Sequence, residues 1–220
     1  MSSTQSKKIR REILEIHAEI AGAVDERVAE FRKIGSKGGN RALFRELVFC
    51  LLTPQSGARR CGLALENLIR KGCLYEGCFE DICPELNIVR FKNNKTRYIL
   101  EAREAFLGPG RKNLRRILDG IESVQDKREW LVRTVKGMGY KEASHFLRNI
   151  GFGDDLAILD RHVLRNMVGL GLIEAIPGSV SGRRYREMED ILRRFSRRIG
   201  VSLGHLDSVL WYKETGDIFK

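Results

Sequence analysis

The chain has 220 residues, 42% of them hydrophobic, so it is long enough to bury one sizeable core or two smaller ones. Forty Lys and Arg against 29 Asp and Glu give a formal charge of +11, which favours a polyanionic partner and makes nucleic acid the first candidate; a simply soluble basic chain, or one that binds an acidic membrane surface, is the alternative. The start has no apolar run typical of a signal peptide, and the longest apolar stretch, 47–52, is too short to span a bilayer, so we expect an intracellular protein that does not insert into a membrane.

Helical periodicity runs through nearly the whole sequence, and no convincing alternating strand pattern occurs, which predicts an all-α fold. A charged amphipathic stretch over 9–34 predicts a first helix, which we expect to end at Gly35 and the Gly38-Gly39 pair. A strongly apolar stretch over 43–52 predicts a buried helix that Pro54 stops. Further helices are predicted at 58–70, 94–106, 113–118, 126–135, 160–168, 183–198 and 203–215. The helix at 126–135 begins with an Asp126/Glu129 pattern that is typical of a capping box.

The chain has five cysteines, an odd number that suits a reducing compartment better than a disulfide framework. Cys50 and Cys61 lie on apolar helical faces, and we expect both in the core. Cys73, Cys78 and Cys83 recur every five residues around a predicted loop, but zinc sites favour closer pairs and a fourth ligand, and no histidine lies nearby. The sequence therefore predicts no metal and no cofactor.

A glycine hairpin, Gly137-Met138-Gly139, separates the helix at 126–135 from one that opens near Lys141. The glycines permit a positive φ or a close approach to a partner, while Met138 can pack inward and anchor the turn. Backbone N–H groups at the start of the second helix would then bind a DNA phosphate without reading a base. An ordinary helix stop and start is the alternative, but the wider pattern Gly-apolar-Gly-x-x-x-Ala, completed by Ala143, favours contact with DNA.

The segment from 135 to 162 resembles the helix-hairpin-helix DNA glycosylases. The resemblance implies that Lys141 is the nucleophile and that Asp160, nineteen positions later, is the assisting carboxylate. His162 fits the 8-oxoguanine members, and we expect it at the DNA. The chain has Ile158-Leu159 where many relatives have Pro-Val before the aspartate. For Lys141 a solvated lysine or a phosphate contact is the alternative, and Asp160 also suits a helix N-cap.

The resemblance further implies two helical subdomains with an active-site cleft between them. Residues 37–150, with the helix-hairpin-helix at about 126–150, would form one subdomain, and residues 1–36 with 151–220 the other. Several relatives carry an iron–sulfur cluster in a four-cysteine C-terminal loop, but this chain has no cysteine after Cys83. The ligand count therefore excludes that cluster.

The stretch 206–220 keeps apolar and aromatic residues to its last positions, which predicts a packed end. It resembles the tail of the compact archaeal-type 8-oxoguanine glycosylases. The resemblance implies that the carboxylate of Lys220 reads guanine through N1–H and the N2 amino group, while Trp211 stacks on the base. Asp207 would contribute to this pocket, and Phe91 resembles the second stacking aromatic. A place in the core is the alternative for Trp211.

Extrusion of a nucleotide requires a side chain to fill the gap, and Gln55 in the turn 51–55 resembles the glutamine of endonuclease III relatives that does so. An ordinary turn is an equal alternative. We therefore expect a monomeric, cytoplasmic or nucleoid-associated 8-oxoguanine DNA glycosylase with AP lyase activity, acting on double-stranded DNA containing 8-oxoguanine. Lys141 would attack C1′ to form a Schiff base, and β-elimination would follow. The alternatives are a glycosylase-lyase of the same fold for oxidised pyrimidines or abasic sites, and a non-catalytic helix-hairpin-helix protein that only binds DNA.

Overall fold

The computed structural model of the protein describes residues 3–108, 110 and 113–218. These residues contain helices and connecting turns and no strand, so the all-α prediction is confirmed. The helices are α1 (Ser3–Lys37), α2 (Asn40–Leu52), α3 (Ala58–Arg70), α4 (Cys73–Glu76), α5 (Phe79–Glu85), α6 (Lys92–Leu107), α7 (Leu114–Asp119), α8 (Val124–Thr134), α9 (Tyr140–Asn149), α10 (Arg161–Gly169), α11 (Gly182–Ile199) and α12 (Leu203–Thr215). No helix in the described ranges is long and apolar enough to cross a lipid bilayer.

The helices pack around two hydrophobic cores. Helices α2 to α9 enclose the first core, in which Phe44 and Phe146 are completely buried. Helices α1, α10, α11 and α12 enclose the second core, which contains Ile13 and Leu192. The division into subdomains at 37–150 and at 1–36 with 151–220 stays a prediction. The cleft described below lies between the two cores.

The prediction that the first helix ends at Gly35 is wrong, because α1 continues through this glycine to Lys37. A Cβ atom at Gly35 would lie 1.8 Å from the carbonyl oxygen of Ile150, at the end of α9. The glycine therefore permits two helices to approach closely and does not stop the first one. The Gly38-Gly39 pair follows the helix end, as expected.

The predicted capping box at Asp126 and Glu129 is not the start of α8. Helix α8 starts two residues earlier, and Ser123 is its N-cap: the backbone N–H of Asp126 donates to the Ser123 hydroxyl at 3.0 Å. A serine side chain that accepts from a free N–H of the first turn satisfies the same need as the predicted arrangement. Asp126 is thus a residue of the first turn and not the cap.

The prediction of a loop around Cys73, Cys78 and Cys83 is also wrong, because this segment contains the short helices α4 and α5. Cys73 and Cys83 are buried and Cys78 is exposed. Cys50 and Cys61 are completely buried, which confirms their prediction as core residues. The helices predicted at 58–70 and 203–215 match α3 and α12 residue for residue, and the remaining predicted helices are confirmed with shifted ends.

Candidate active site between the two cores

A cleft of about 590 Å³ lies between the two cores. Its walls come from the turn after α2, the first turn of α9, the start of α10 and one face of α12. Six residues that the sequence singled out line this cleft: Gln55, Lys141, Asp160, His162, Asp207 and Trp211. Residues separated by more than 150 positions in the sequence therefore share one cavity.

The glycine hairpin joins α8 to α9 as predicted. Gly137 has a φ of 84°, and a Cβ atom there would lie 2.2 Å from the ring of Tyr98, so both the backbone and the packing require glycine. Met138 is only 5% exposed and anchors the turn. Gly139 is the N-cap of α9 and places no side chain over the first turn, although its N–H donates to the carboxylate of Glu142 at 3.3 Å.

Lys141 lies in the first turn of α9, with 24% of its side chain exposed. Its Nζ donates a 3.0 Å hydrogen bond to Oγ1 of Thr53 and lies 3.6 Å from a carboxylate oxygen of Glu142. Thr53 in turn donates to the carbonyl of Cys50 at 2.9 Å. The lysine is therefore held against the end of α2, and it reaches the cleft with its amine oriented.

Asp160 enters the cleft from the other core. It is the N-cap of α10, and its Oδ1 accepts a 2.8 Å hydrogen bond from the backbone N–H of Val163. The capping role and the position in the cleft are both observed, so the structural interpretation of Asp160 does not exclude the catalytic one. One helix cap thus brings a carboxylate to the cavity that also contains Lys141.

Trp211 and His162 form one wall of the cleft. Their rings meet edge to face with centroids 5.2 Å apart, and Nδ1 of His162 lies 3.7 Å from a carboxylate oxygen of Glu214. The described end of the chain returns to this wall, because Ile218 also lines the cavity. Lys220 lies outside the described residues.

Gln55 and Phe91 share an unusual backbone. Among the described residues they are the two non-glycine positions with positive φ, at 53° and 59°. Such conformations cost energy and are frequent at binding sites. Gln55 lines the cleft, whereas Phe91 does not; it is 51% exposed and directly follows Arg90, which does line the cleft.

Lys95 is a functional candidate that sequence reasoning missed. Although only 2% exposed, it donates to the carbonyls of Leu52 and Pro54, at 2.6 and 2.9 Å, and to the hydroxyl of Ser56 at 2.9 Å. The same hydroxyl accepts from the backbone N–H of Arg90 at 3.0 Å. Burial lowers the pKa of Lys95 to about 8. This lysine ties the turn that carries Gln55 to the segment before Phe91.

Asp207 is nearly buried, and both of its carboxylate oxygens have internal partners. Nη1 of Arg148 donates to one oxygen at 2.8 Å, and the backbone N–H of Ile158 donates to the other at 3.3 Å. Burial raises the pKa of Asp207 to about 6; Arg148 opposes this shift and the charge of Asp160 adds to it. Proline at position 158 would lack the N–H that Ile158 donates to Asp207.

Comparison with known proteins gives one consistent family. A model of the 8-oxoguanine DNA glycosylase family with the helix-hairpin-helix matches residues 24–201. A curated 8-oxoguanine DNA glycosylase/AP lyase of Fusobacterium nucleatum is 44% identical over 95% of this chain and 96% of its own length. One from Methanocaldococcus jannaschii is 38% identical over 93% of this chain and 95% of its own.

Solved structures agree with this assignment. The crystal structure of the 8-oxoguanine DNA glycosylase of Thermotoga maritima superposes with a TM-score of 0.87 at 36% identity and covers 98% of this chain and 100% of its own. The M. jannaschii 8-oxoguanine glycosylase/lyase, solved in complex with a 15-mer DNA containing 8-oxoguanine, gives a TM-score of 0.87 at 35% identity, covering 97% of this chain and 100% of its own. The cleft, the hairpin and these relatives together show that the chain belongs to the 8-oxoguanine DNA glycosylase family of helix-hairpin-helix proteins.

Proposed function

We propose that this protein excises 8-oxoguanine from duplex DNA and then cleaves the strand at the resulting abasic site, with Lys141 as the nucleophile. The observation that carries the proposal is that Lys141 and Asp160 reach one cleft from helices of different cores. The relatives named 8-oxoguanine DNA glycosylase/AP lyase, which match nearly the full chain, support the same activity. Because one chain supplies both walls, the enzyme would act as a monomer.

In the proposed reaction the free amine of Lys141 attacks C1′ of the damaged nucleotide. The new N–C1′ bond replaces the glycosidic bond, whose electron pair leaves with the base, and the base takes up a proton. Opening of the sugar ring gives a protonated Schiff base. Loss of a proton from C2′ then expels the 3′ phosphate. The hydrogen bond to Thr53 would orient the attacking amine, since a productive geometry supplies much of the rate enhancement.

Asp160 would stabilise the positive charge that develops on the sugar as the base departs, and it would carry protons in the later elimination. A carboxylate fixed as a helix cap suits this role, because its position does not have to be established during the reaction. The charge of Asp160 and the basic surface of the chain thus have separate roles: one acts on the sugar, and the other attracts the phosphates.

DNA would lie across the hairpin, with a phosphate at the first turn of α9, where the N-cap Gly139 carries no side chain. The damaged nucleotide would be extruded into the cleft, and Gln55 would fill the gap that it leaves. His162 would contact the DNA on the α10 side of the cleft. Gly137 and Gly139 are both exposed, which supports a contact that reads the DNA backbone and not the sequence.

The extruded base would stack on Trp211, with Phe91 as a second stacking residue beside the cleft. Reading of guanine by the carboxylate of Lys220 stays a prediction from the sequence. The described end of the chain supports it, because Ile218, two positions before Lys220 in the sequence, lines the cleft. Deletion of Lys220 should reduce 8-oxoguanine excision while abasic-site cleavage continues; an equal loss on both substrates would refute this role.

Borohydride trapping tests the proposed function directly. The native chain should form a covalent adduct with a duplex that contains 8-oxoguanine, and Lys141→Gln should form none while it still binds the duplex. Lys71→Gln is a matched control, because Lys71 pairs with Glu85 away from the cleft; it should be trapped like the native chain. Binding without any adduct from the native chain would refute a lyase. Faster cleavage of thymine glycol than of 8-oxoguanine would refute the proposed substrate.

A further inference from the structure

The three residues directly before Asp160, 157–159, belong to no helix, yet each of their backbone N–H groups donates to a side chain. The first N–H donates to Oε1 of Glu189 at 2.9 Å and the second to Oδ1 of Asp207 at 3.3 Å. The third donates to the hydroxyl of Tyr185 at 3.2 Å. Side chains of α11 and α12 therefore fix the path of this segment in the way that neighbouring strands fix a strand.

Glu189 connects the segment to α8. Its carboxylate accepts from both terminal nitrogens of Arg128, at 2.7 and 3.0 Å, while one of its oxygens also accepts from Ala157. The side chains of Arg128 and Glu189 are only 1% and 3% exposed. The guanidinium fork holds a carboxylate in a single orientation, so this first carboxylate bridge is rigid.

Asp207 forms a second carboxylate bridge of the same design. Arg148 of α9 donates to one of its oxygens at 2.8 Å, and the other oxygen accepts from Ile158. The two arginines thus belong to the two helices of the helix-hairpin-helix, and the two carboxylates belong to helices of the second core. Consecutive backbone amides before Asp160 are linked to both helices of the unit that carries Lys141.

Tyr185 closes the arrangement. Its hydroxyl donates to the carbonyl of Ala157 at 2.6 Å, accepts from Leu159, and lies 3.3 Å from the hydroxyl of Ser144 on α9. Ser144 also accepts from Arg128 at 3.2 Å. The hydroxyl of Tyr185 therefore contacts the segment at both of its ends and the helix of Lys141 as well.

We infer that Glu189, Asp207 and Tyr185 are positioning residues that hold Asp160 at a fixed place relative to Lys141. The inference rests on the proposed function and adds to it a structural cause for the catalytic geometry. Replacing a buried ion pair by apolar residues often leaves the stability of a protein unchanged. Stability alone therefore does not explain why two such pairs lie at this interface. If Lys141 and Asp160 must be held at a set distance, it is clear why both ion pairs also bind the segment 157–159.

The cleanest test is Tyr185→Phe, which removes only the hydroxyl. The rate of borohydride trapping in a single turnover should fall by roughly 10- to 100-fold, since small displacements of a catalytic group cost that much. The Kd for the same duplex should change less than about threefold, because the three residues lie on α11 and α12 and not in the hairpin. Tyr212→Phe is the matched control: it removes a hydroxyl that donates to Glu19 of α1, and its rate should equal the native rate.

A double-mutant cycle separates positioning from a general structural effect. Asp207→Asn keeps the shape of the side chain and removes its charge, and it should slow trapping of the native chain as Tyr185→Phe does. In an Asp160→Asn background both substitutions should have little further effect, because the carboxylate that they position is gone. Multiplicative losses in that background, or native rates for both single variants, would overturn the inference. If the native chain itself forms no adduct, the proposed function fails instead.

Discussion

Lys141 and Thr53 are joined by a 3.0 Å hydrogen bond from the lysine Nζ to the threonine Oγ1, between the first turn of α9 and the residue that follows α2. Thr53→Val removes this acceptor and keeps the volume of the side chain. We expect the trapping rate to fall about tenfold, corresponding to roughly 1.4 kcal/mol of lost orientation, with DNA affinity unchanged. Thr53→Ser retains the hydroxyl and should restore most of the rate. A native rate for the valine variant would show that the contact does not orient the amine.

Asp207 should give the enzyme an acidic limit. Its pKa is about 6, so below that pH the carboxyl takes up a proton and its attraction to Arg148 is lost. The trapping rate of the native chain should therefore decline between about pH 7 and pH 5 more steeply than the rate of Asp207→Asn, which has no proton to gain. Parallel pH profiles for the two proteins would contradict this prediction.

Protonation of Asp207 should slow trapping but stabilise the folded chain. Burial raises the folded-state pKa of Asp207 above its ordinary value of 3.8, so the folded chain binds the proton more tightly than the unfolded chain. Its contribution to the free energy of unfolding is present below about pH 4 and is lost as the pH rises through about 6. Urea denaturation of the native chain and of Asp207→Asn at a series of pH values checks this. The difference between their free energies of unfolding should change across that window and be constant above it.

Lys95 should be needed for the turn that carries Gln55. Lys95→Met removes the donor of three hydrogen bonds and leaves buried acceptors unsatisfied, which should cost about 1–3 kcal/mol of unfolding free energy. Trapping should also slow, because the turn loses its anchor. Lys92→Met, in the same helix but bonded to Asn87, is the control and should change stability by less than about 0.5 kcal/mol. Equal stabilities of the two variants would argue against an anchoring role.

Gln55 combines backbone strain with a proposed role in DNA. Gln55→Gly should raise the free energy of unfolding by up to about 1 kcal/mol, because glycine adopts a φ of 53° without strain. Excision of 8-oxoguanine should nevertheless fall, because no side chain remains to fill the gap. Gln55→Ala is the paired variant: it keeps the strained backbone and should lose activity without gaining stability. Full activity of either variant would remove Gln55 from the mechanism.

Much of the fold could be predicted because it depends on local patterns. Helices α3 and α12 follow from apolar spacing and from the residues that bound them, and their predicted ends are the observed ones. Gly35 was misinterpreted because a glycine that stops a helix and a glycine that permits close packing look alike in sequence. Only the contact with Ile150 separates them. The short helices α4 and α5 were missed because a single turn has little periodicity to detect.

In the candidate site, too, some residues could be predicted from the sequence and others could not. Lys141 and Asp160 could be paired because the family spacing places them nineteen residues apart, and the cleft contains both. The residues around them could not be predicted: Arg128 and Glu189 are 61 positions apart, and nothing in the sequence near either of them indicates the other. In the sequence nothing distinguishes Lys95 from a surface lysine, and only its buried acceptors identify it. Long-range polar contacts carry no local signal, so the sequence indicated the candidate reacting groups but not the ion pairs that lie around them.

The segment 157–159 has one consequence for the motions of the protein. Irregular segments outside helices usually exchange their amide protons with solvent quickly, because nothing holds these protons. Here all three amide protons are held by side chains of α11 and α12. In deuterated water they should therefore exchange as slowly as those in the middle of α11, while the amides of the exposed residues 178–180 should exchange within the dead time. The least regular part of the catalytic wall would then be among its least mobile parts.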